Sequence, residues 1–130
     1  MTFAKQMLEA KETLGGKGHE VILAQDTEHY SNNPDKKLNY NEELKKAIED
    51  EALKECFDKI KISDAILVLN YNKNNIKGYL GTSVLMEIAI AYYLNKKIYL
   101  LNEIDETQNY SLEVELVKPI ILNNDLSKIK

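Results

Sequence analysis

Arginine is absent from this chain. All seventeen basic side chains are lysine, set against twenty-one acidic ones, for a formal charge of −4. Without guanidinium groups, bidentate contacts to phosphate or to a guanine edge are unavailable. An acidic chain is also a poor match for a phosphate backbone, so no nucleic-acid partner is expected. Cysteine occurs once, as Cys56, which excludes an intrachain disulfide framework and points to a reducing, cytoplasmic setting. Five glycines and two prolines are too few for collagen-like or low-complexity chains. No apolar run approaches the ~20 residues that span a bilayer. The opening Met1-Thr2-Phe3-Ala4-Lys5-Gln6 lacks the apolar core of a secretory signal, and no membrane partner is expected. His19, His29 and Cys56 fall on separate segments without ligand spacing, so no metal is expected. The chain has neither a P-loop nor a G-x-S-x-G motif. Gly15-Gly16-Lys17-Gly18 follows a helical pattern rather than a strand, so it is not a dinucleotide fingerprint and no cofactor is implied.

What remains is ordinary globular material: 130 residues, 44% of them apolar and 29% charged. That is the size of a single domain, 1–130. The apolar pattern alternates between helical and strand periods. Phe3, Ala4, Met7, Leu8, Ala10 and Leu14 form a helical stripe over 2–14, stopped by the glycines that follow. Residues 20–24 read as a short strand and 26–40 as a polar loop with a turn at Asn32-Asn33-Pro34-Asp35. Leu44, Ala47, Ile48, Ala52, Leu53, Cys56, Phe57 and Ile60 predict one helix over 41–60. Ala65-Ile66-Leu67-Val68-Leu69 is a continuous apolar run, as in a strand covered on both faces. A polar loop over 70–80, a helix over 82–94 and a strand over 97–101 follow. Residues 103–117 read as a loop with a helical turn. Pro119-Ile120-Ile121-Leu122 reads as an edge strand, where a missing N–H is tolerated. Strands alternating with helices predict a doubly wound parallel sheet, although such folds normally open with a strand and this chain opens with a helix.

Ligands of open α/β sheets sit beyond the carboxyl ends of the strands. Those ends carry Gln25-Asp26, Asn70-Tyr71-Asn72 and Asn102-Glu103, though loop residues are polar in any case. The helix 82–94 is apolar almost all round, which predicts burial. Glu87 is its only charge, in the early turns where the helix dipole favours the ionised form. A carboxylate so placed is either held by a Lys or Tyr partner or faces a cleft, where it can act as a nucleophile. Gly81-Thr82 opens the helix, as an anion-binding start or with Thr82 or Ser83 as a simple N-cap. Tyr30, Tyr40, Tyr71 and Tyr79 fall in loops, available for stacking on a base or merely solvated.

The run Ser63-Asp64-Ala65-Ile66-Leu67-Val68-Leu69-Asn70, then Gly81-Thr82-Ser83 and Met86-Glu87-Ile88-Ala89, with Pro119-Ile120-Ile121-Leu122-Asn123 near the end, resembles the nucleoside 2-deoxyribosyltransferase-like superfamily over almost the whole chain. The resemblance implies a three-layer, doubly wound, flavodoxin-like (Rossmann-like) domain. It implies an N-glycosidic bond of a nucleoside or nucleotide as substrate and Glu87 as the nucleophile of a retaining transfer or hydrolysis, with an oxocarbenium-like transition state. Phe3, Asp26, Asn70, Tyr71, Tyr79, Gly81, Thr82, Ser83 and Asn102 are then the substrate-binding candidates. The superfamily's transferases carry an Asp just before the Gly-Thr, where this chain has Tyr79-Leu80, and no acid occurs from Ala65 through Met86. Base activation would fall to Asp26, Glu103 or another subunit, and a non-catalytic nucleotide- or nucleoside-binding module on the same fold is the alternative. The superfamily also begins with a strand that this chain starts after. The expectation is therefore a start placed downstream of the true one, with the sheet gapped or re-paired. A homo-oligomer, most simply a dimer, is expected, with the apolar helix 82–94 as one route to a subunit interface.

Overall fold

The computed structural model describes residues 3–23, 39–49 and 51–130. The chain divides into two compact units, Met1–Asp58 and Lys59–Lys130. In the first, α1 (Ala4–Gly15) buries Ala4, Ala10 and Leu14, the inner side of the stripe read from the sequence. The helix ends where Gly18 takes φ 91°. There His19 N–H donates to Leu14 C=O at 3.1 Å and Gly18 N–H to Gly15 C=O at 3.1 Å. This paired closure needs a left-handed residue at its centre, which glycine supplies without a Cβ clash.

Two expectations for this unit are corrected. Residues 20–23 lie in no strand among the described residues, and Ile22 is 44% exposed. A short apolar run makes a strand only where a partner covers it. Ala24, the end of that expected strand, lies outside the described residues, as do Asp26, His29, Tyr30 and the turn expected at 32–35. The single helix expected over 41–60 is two: α2 (Tyr40–Glu49) and α3 (Ala52–Lys61). Glu51 sits between them at φ 48°, which no residue inside a right-handed helix can adopt. The start of α2 is fixed by Asn39, whose Oδ1 accepts from Glu42 N–H at 2.9 Å while its Nδ2 donates to Glu42 Oε1 at 3.0 Å, a variant of the capping box. Because of the break, the long apolar stripe does not become one core face. Tyr40, Leu44 and Ile48 are exposed; of the stripe only Ile60 is buried, in the last turn of α3 and already in the second unit.

The second unit is an α/β arrangement around an open, parallel three-stranded sheet. Its strands are β1 (Ala65–Val68), β2 (Lys97–Leu100) and β3 (Ile120–Ile121), in the order β1-β2-β3. Ala65 aligns with Lys97 and Val68 with Leu100; Tyr99 aligns with Ile120. The sheet is contiguous, so the expected gap does not lie within it. β3 is an edge strand with Pro119 just before it, as the sequence predicts. β2 is buried on both faces through Ile98, Tyr99 and Leu100, which explains its unbroken apolar run.

Helix α4 (Thr82–Tyr93) links β1 to β2 and packs on both. Ile88 and Ala91 are buried, but Met86, Tyr92 and Tyr93 are exposed, Tyr93 at 81%. The expectation of burial all round is corrected: the sheet covers one side of this apolar helix and leaves the other in solvent. The helix closes on Asn95 at φ 61°, with Lys96 N–H donating to Ala91 C=O at 2.9 Å and Asn95 N–H to Tyr92 C=O at 3.1 Å. This is the closure α1 makes with glycine, made here with asparagine, the side chain that best tolerates left-handed geometry. A short helix, α5 (Ser111–Leu116), supplies the helical turn expected in the 103–117 loop and buries Val114.

Asn95 yields a direct test. Asn95→Gly should leave thermal stability unchanged or slightly raised. Asn95→Val should lower it by about 1–2 kcal/mol, the cost of a β-branched residue in left-handed backbone, as read by denaturant unfolding.

Candidate functional site

The sheet ladder stops at β1's carboxyl end, where Leu101 N–H still donates to Val68 C=O at 3.0 Å. Beyond it the chain turns away: Tyr71 N–H donates back to Leu69 C=O at 3.1 Å, a three-residue turn centred on Asn70. The Asn70 side chain then makes the next rung. Its Oδ1 accepts from Asn102 N–H at 2.9 Å and its Nδ2 donates to Asn102 C=O at 2.7 Å. Asn102 Nδ2 donates in return to Asn70 C=O at 3.3 Å. Asn70 is 1% exposed, and this full pairing is what makes a buried amide affordable.

The excursion from Tyr71 to Leu80 is a small hairpin. Tyr79 N–H donates to Tyr71 C=O at 3.1 Å, and Lys73 and Ile76 exchange both backbone bonds, at 3.1 and 2.9 Å. Asn74 (φ 54°) and Asn75 (φ 60°) form its tip, the two-residue left-handed turn that suits hairpins. The Lys73 ammonium sits 5.2 Å from the Tyr79 ring centre, within cation–π range. Asn72 Oδ1 accepts from Gly78 N–H at 3.1 Å. Gly78 has φ 58°, and a Cβ there would lie 2.1 Å from the Glu103 carbonyl oxygen. Only glycine lets the two loops approach this closely. Lys77 Nζ and Glu103 Oε2 then meet at 3.4 Å across the same two loops, an exposed pair worth at most ~1 kcal/mol.

Between these loops and the end of β3 lies an open cleft of about 470 Å³ lined by Tyr71, Asn72, Lys77, Asn102, Glu103, Asn123 and Asn124. That volume falls in the roughly 300–1,000 Å³ range of small-molecule sites, and the position obeys the rule for open α/β sheets. Asn123 (φ 51°) and Asn124 (φ 64°) form a second left-handed turn, closed by Asp125 N–H to Leu122 C=O at 3.0 Å. Asn124 Nδ2 donates to Asn102 Oδ1 at 2.6 Å. Four carboxamides and a phenol thus face the cleft, and its two charged groups neutralise each other. Two residues after Glu103, Asp105 Oδ1 accepts from Thr107 Oγ1 at 2.6 Å and from Thr107 N–H at 2.9 Å. These bonds favour its ionised form and hold its carboxyl below the ordinary carboxylate value, the side-chain bond contributing most. With the folded-state value depressed, this contribution to stability is present at neutral pH. It is lost as pH falls through that lowered value.

Of the residues named from the sequence, Tyr71 and Asn102 line the cleft, with Asn72 and Glu103 from the same strand ends, and Asn70 holds it together from beneath. Tyr79 belongs to the adjoining hairpin without lining the cleft. Gly81 is the N-cap of α4, so neither Thr82 nor Ser83 caps it, and both are exposed. Glu87 is half-buried one turn further on and is not among the lining residues. Phe3 is half-buried before α1, in the other unit. Sequence reasoning missed Lys77, Asn123 and Asn124. The signal for the last two was present: they follow the final strand as Asn70 and Asn102 follow the earlier ones. Among the described residues no acidic, histidine and cysteine cluster could hold a metal ion. No described helix is long and apolar enough to cross a membrane.

Comparison of the chain with known family models, with curated proteins and with solved structures finds no match.

Gly78 is the sharpest probe of the cleft's construction. Gly78→Ala should cost about 2 kcal/mol or more, from left-handed strain and the collision with the Glu103 carbonyl. It should also shift the backbone amides of Asn102 and Glu103 in NMR spectra while leaving those of α1 in place.

Proposed function

We propose that the protein binds a nucleoside in the asparagine-lined cleft at the carboxyl ends of its strands. The observation that carries this reading is the lining itself: neutral amides from Asn72, Asn102, Asn123 and Asn124 beside the Tyr71 ring, with Lys77 and Glu103 cancelling one another. Carboxamides offer a donor and an acceptor together, which complements the edge of a nucleobase, and a phenol ring offers a face for stacking. An Arg-free chain with a charge-neutral cleft favours a nucleoside over a phosphate-dependent nucleotide. The three-layer, doubly wound arrangement implied by the superfamily resemblance belongs to the same proposal, as an extension of the three-stranded parallel core.

A second reading is enzymatic, with Glu87 as the nucleophile of a glycosidic-bond transferase or hydrolase. Its support is a carboxylate that is the single charge of its helix and is half-buried there. In that reaction the Glu87 carboxylate attacks the anomeric carbon. The base departs with the bonding electrons and takes a proton. Water or a second base then displaces the carboxylate, with net retention. The binding reading leads because Glu87 does not line the cleft.

One experiment orders the two. Deoxynucleosides and ribonucleosides are titrated against the protein by isothermal calorimetry, and free base is followed by chromatography in the same mixtures. Binding without base release is the expected result. Base release that disappears in Glu87→Ala would establish the enzymatic reading instead, and the absence of both would remove the nucleoside proposal.

We also propose self-association through the uncovered side of α4, where Met86, Tyr92 and Tyr93 leave apolar surface in solvent. Tyr93→Glu should convert a dimer to a monomer in sedimentation experiments, and a wild-type monomer at high concentration would refute the idea.

A further inference from the structure

The carboxamides above the sheet form a chain whose polarity is set by the backbone. A backbone N–H can only donate and a C=O can only accept, so the Asn70 amide has one permitted orientation against Asn102: Oδ1 to the N–H at 2.9 Å, Nδ2 to the C=O at 2.7 Å. Asn102 is fixed next. Its Nδ2 donates to the Asn70 carbonyl at 3.3 Å, which turns its Oδ1 outward as an acceptor. Asn124 meets that acceptor with one N–H of its Nδ2, at 2.6 Å. Its backbone is held in turn, since Asn124 N–H donates to Leu101 C=O at 2.9 Å. The order of donors and acceptors therefore passes from the β1–β2 ladder through two side chains to a third.

Asn124 is the end of this relay, and it lines the cleft. Among the described residues its Oδ1 and its second Nδ2 hydrogen carry no further hydrogen bond. An amide that could otherwise flip is thus presented in one sense, with an acceptor and a donor side by side. Asn102, by contrast, has Oδ1 and one Nδ2 hydrogen already committed, and Asn72 Oδ1 is committed to Gly78. Asn123, the fourth carboxamide of the lining, makes no side-chain hydrogen bond among the described residues, so nothing sets its sense. The amide with both functions available and its orientation fixed is Asn124.

We infer that Asn124 is the specificity-determining residue of the cleft. It reads a ligand edge on which a donor stands next to an acceptor, as N1 and the N6 amine do on adenosine or O4 and N3–H on uridine. The inference rests on the nucleoside reading above and adds to it the atoms that choose among bases. Asn70 is the positioning residue behind it: it touches no ligand and acts by holding Asn102.

The test uses the full chain with adenosine, uridine, guanosine and inosine as probes. Asn124→Asp surrenders the bond to Asn102 Oδ1 and offers the cleft acceptors alone, which match two adjacent donors. Only guanosine, with N1–H and its N2 amine, offers such a pair. The variant should lose about tenfold or more in affinity for adenosine and uridine, while guanosine is retained and is now preferred over inosine. Asn124→Ala should weaken all four by a similar factor. The Asn124 side-chain Nδ2 resonances, assigned by their disappearance in Asn124→Asp, should move when uridine is added to the wild-type protein. An unchanged order of affinities in Asn124→Asp would overturn the inference and leave nucleoside binding intact. So would an unmoved Asn124 side chain alongside shifted Tyr71 and Lys77 amides. Failure of all four nucleosides to bind the wild-type protein would overturn the underlying reading and this inference with it.

Discussion

One side chain completes what the backbone of this sheet leaves unfinished. Where β1 ends and the chain turns away, Asn70 supplies a donor and an acceptor at the spacing of a peptide unit, and β2 continues as though a further residue were paired with it. Without that rung the Asn102 N–H and C=O would lie beside a departing strand with no protein partner. The cleft follows from the same pairing. Asn70 fixes the 102–103 segment, Asn72 and Gly78 fold the 71–80 hairpin down against it, and the Lys77–Glu103 pair closes over the contact. Leu122, fully buried, draws the end of β3 alongside, which brings the last two asparagines within reach.

The scarcity of glycine is answered by the same residue type. Seven non-glycine residues among those described have left-handed backbone, and five of them are asparagine. They end α4, tip the hairpin and turn the chain after β3, places where glycine is the usual choice. The substitution has a second effect, because asparagine brings an amide where glycine brings nothing. At Asn123 and Asn124 the residue that permits the turn also furnishes the wall of the cleft. The backbone requirement and the amide lining of the cleft are met by the same residues.

Much of the second unit was legible in the sequence because each of its elements satisfies a local rule. The Ala65–Leu69 run, the helix from Thr82 and the Lys97–Leu101 run are long enough and apolar enough to need no further context. Asn70, Tyr71 and Asn102 follow from the single rule that strand ends face the ligand. Elsewhere the local signal was overridden. Leu44 and Ile48 keep helical spacing but lie beyond the break at Glu51, and nothing in the spacing announces a left-handed glutamate. Ile22 sits in a strand-like run that is not in a strand. Gly78 looks like any loop glycine until the Glu103 carbonyl is seen where its side chain would be. The coupling of Asn70, Asn102 and Asn124 joins residues more than twenty positions apart and has no local signature at all.

The relay ends on the weakest strand. β3 has two residues, at an edge, and it is tied to β2 mainly by backbone bonds and by Leu122. In a structure that opens piecemeal, such a strand frays before the centre of the sheet does. Hydrogen exchange at Leu122 and Asn124 would therefore outpace that at Leu100 and Leu101, and each fraying event would carry Asn124 away from Asn102. A ligand that engages Asn124 would bind only the closed form and so would slow that exchange. Occupancy of the cleft and protection of the sheet's margin become two readings of one equilibrium.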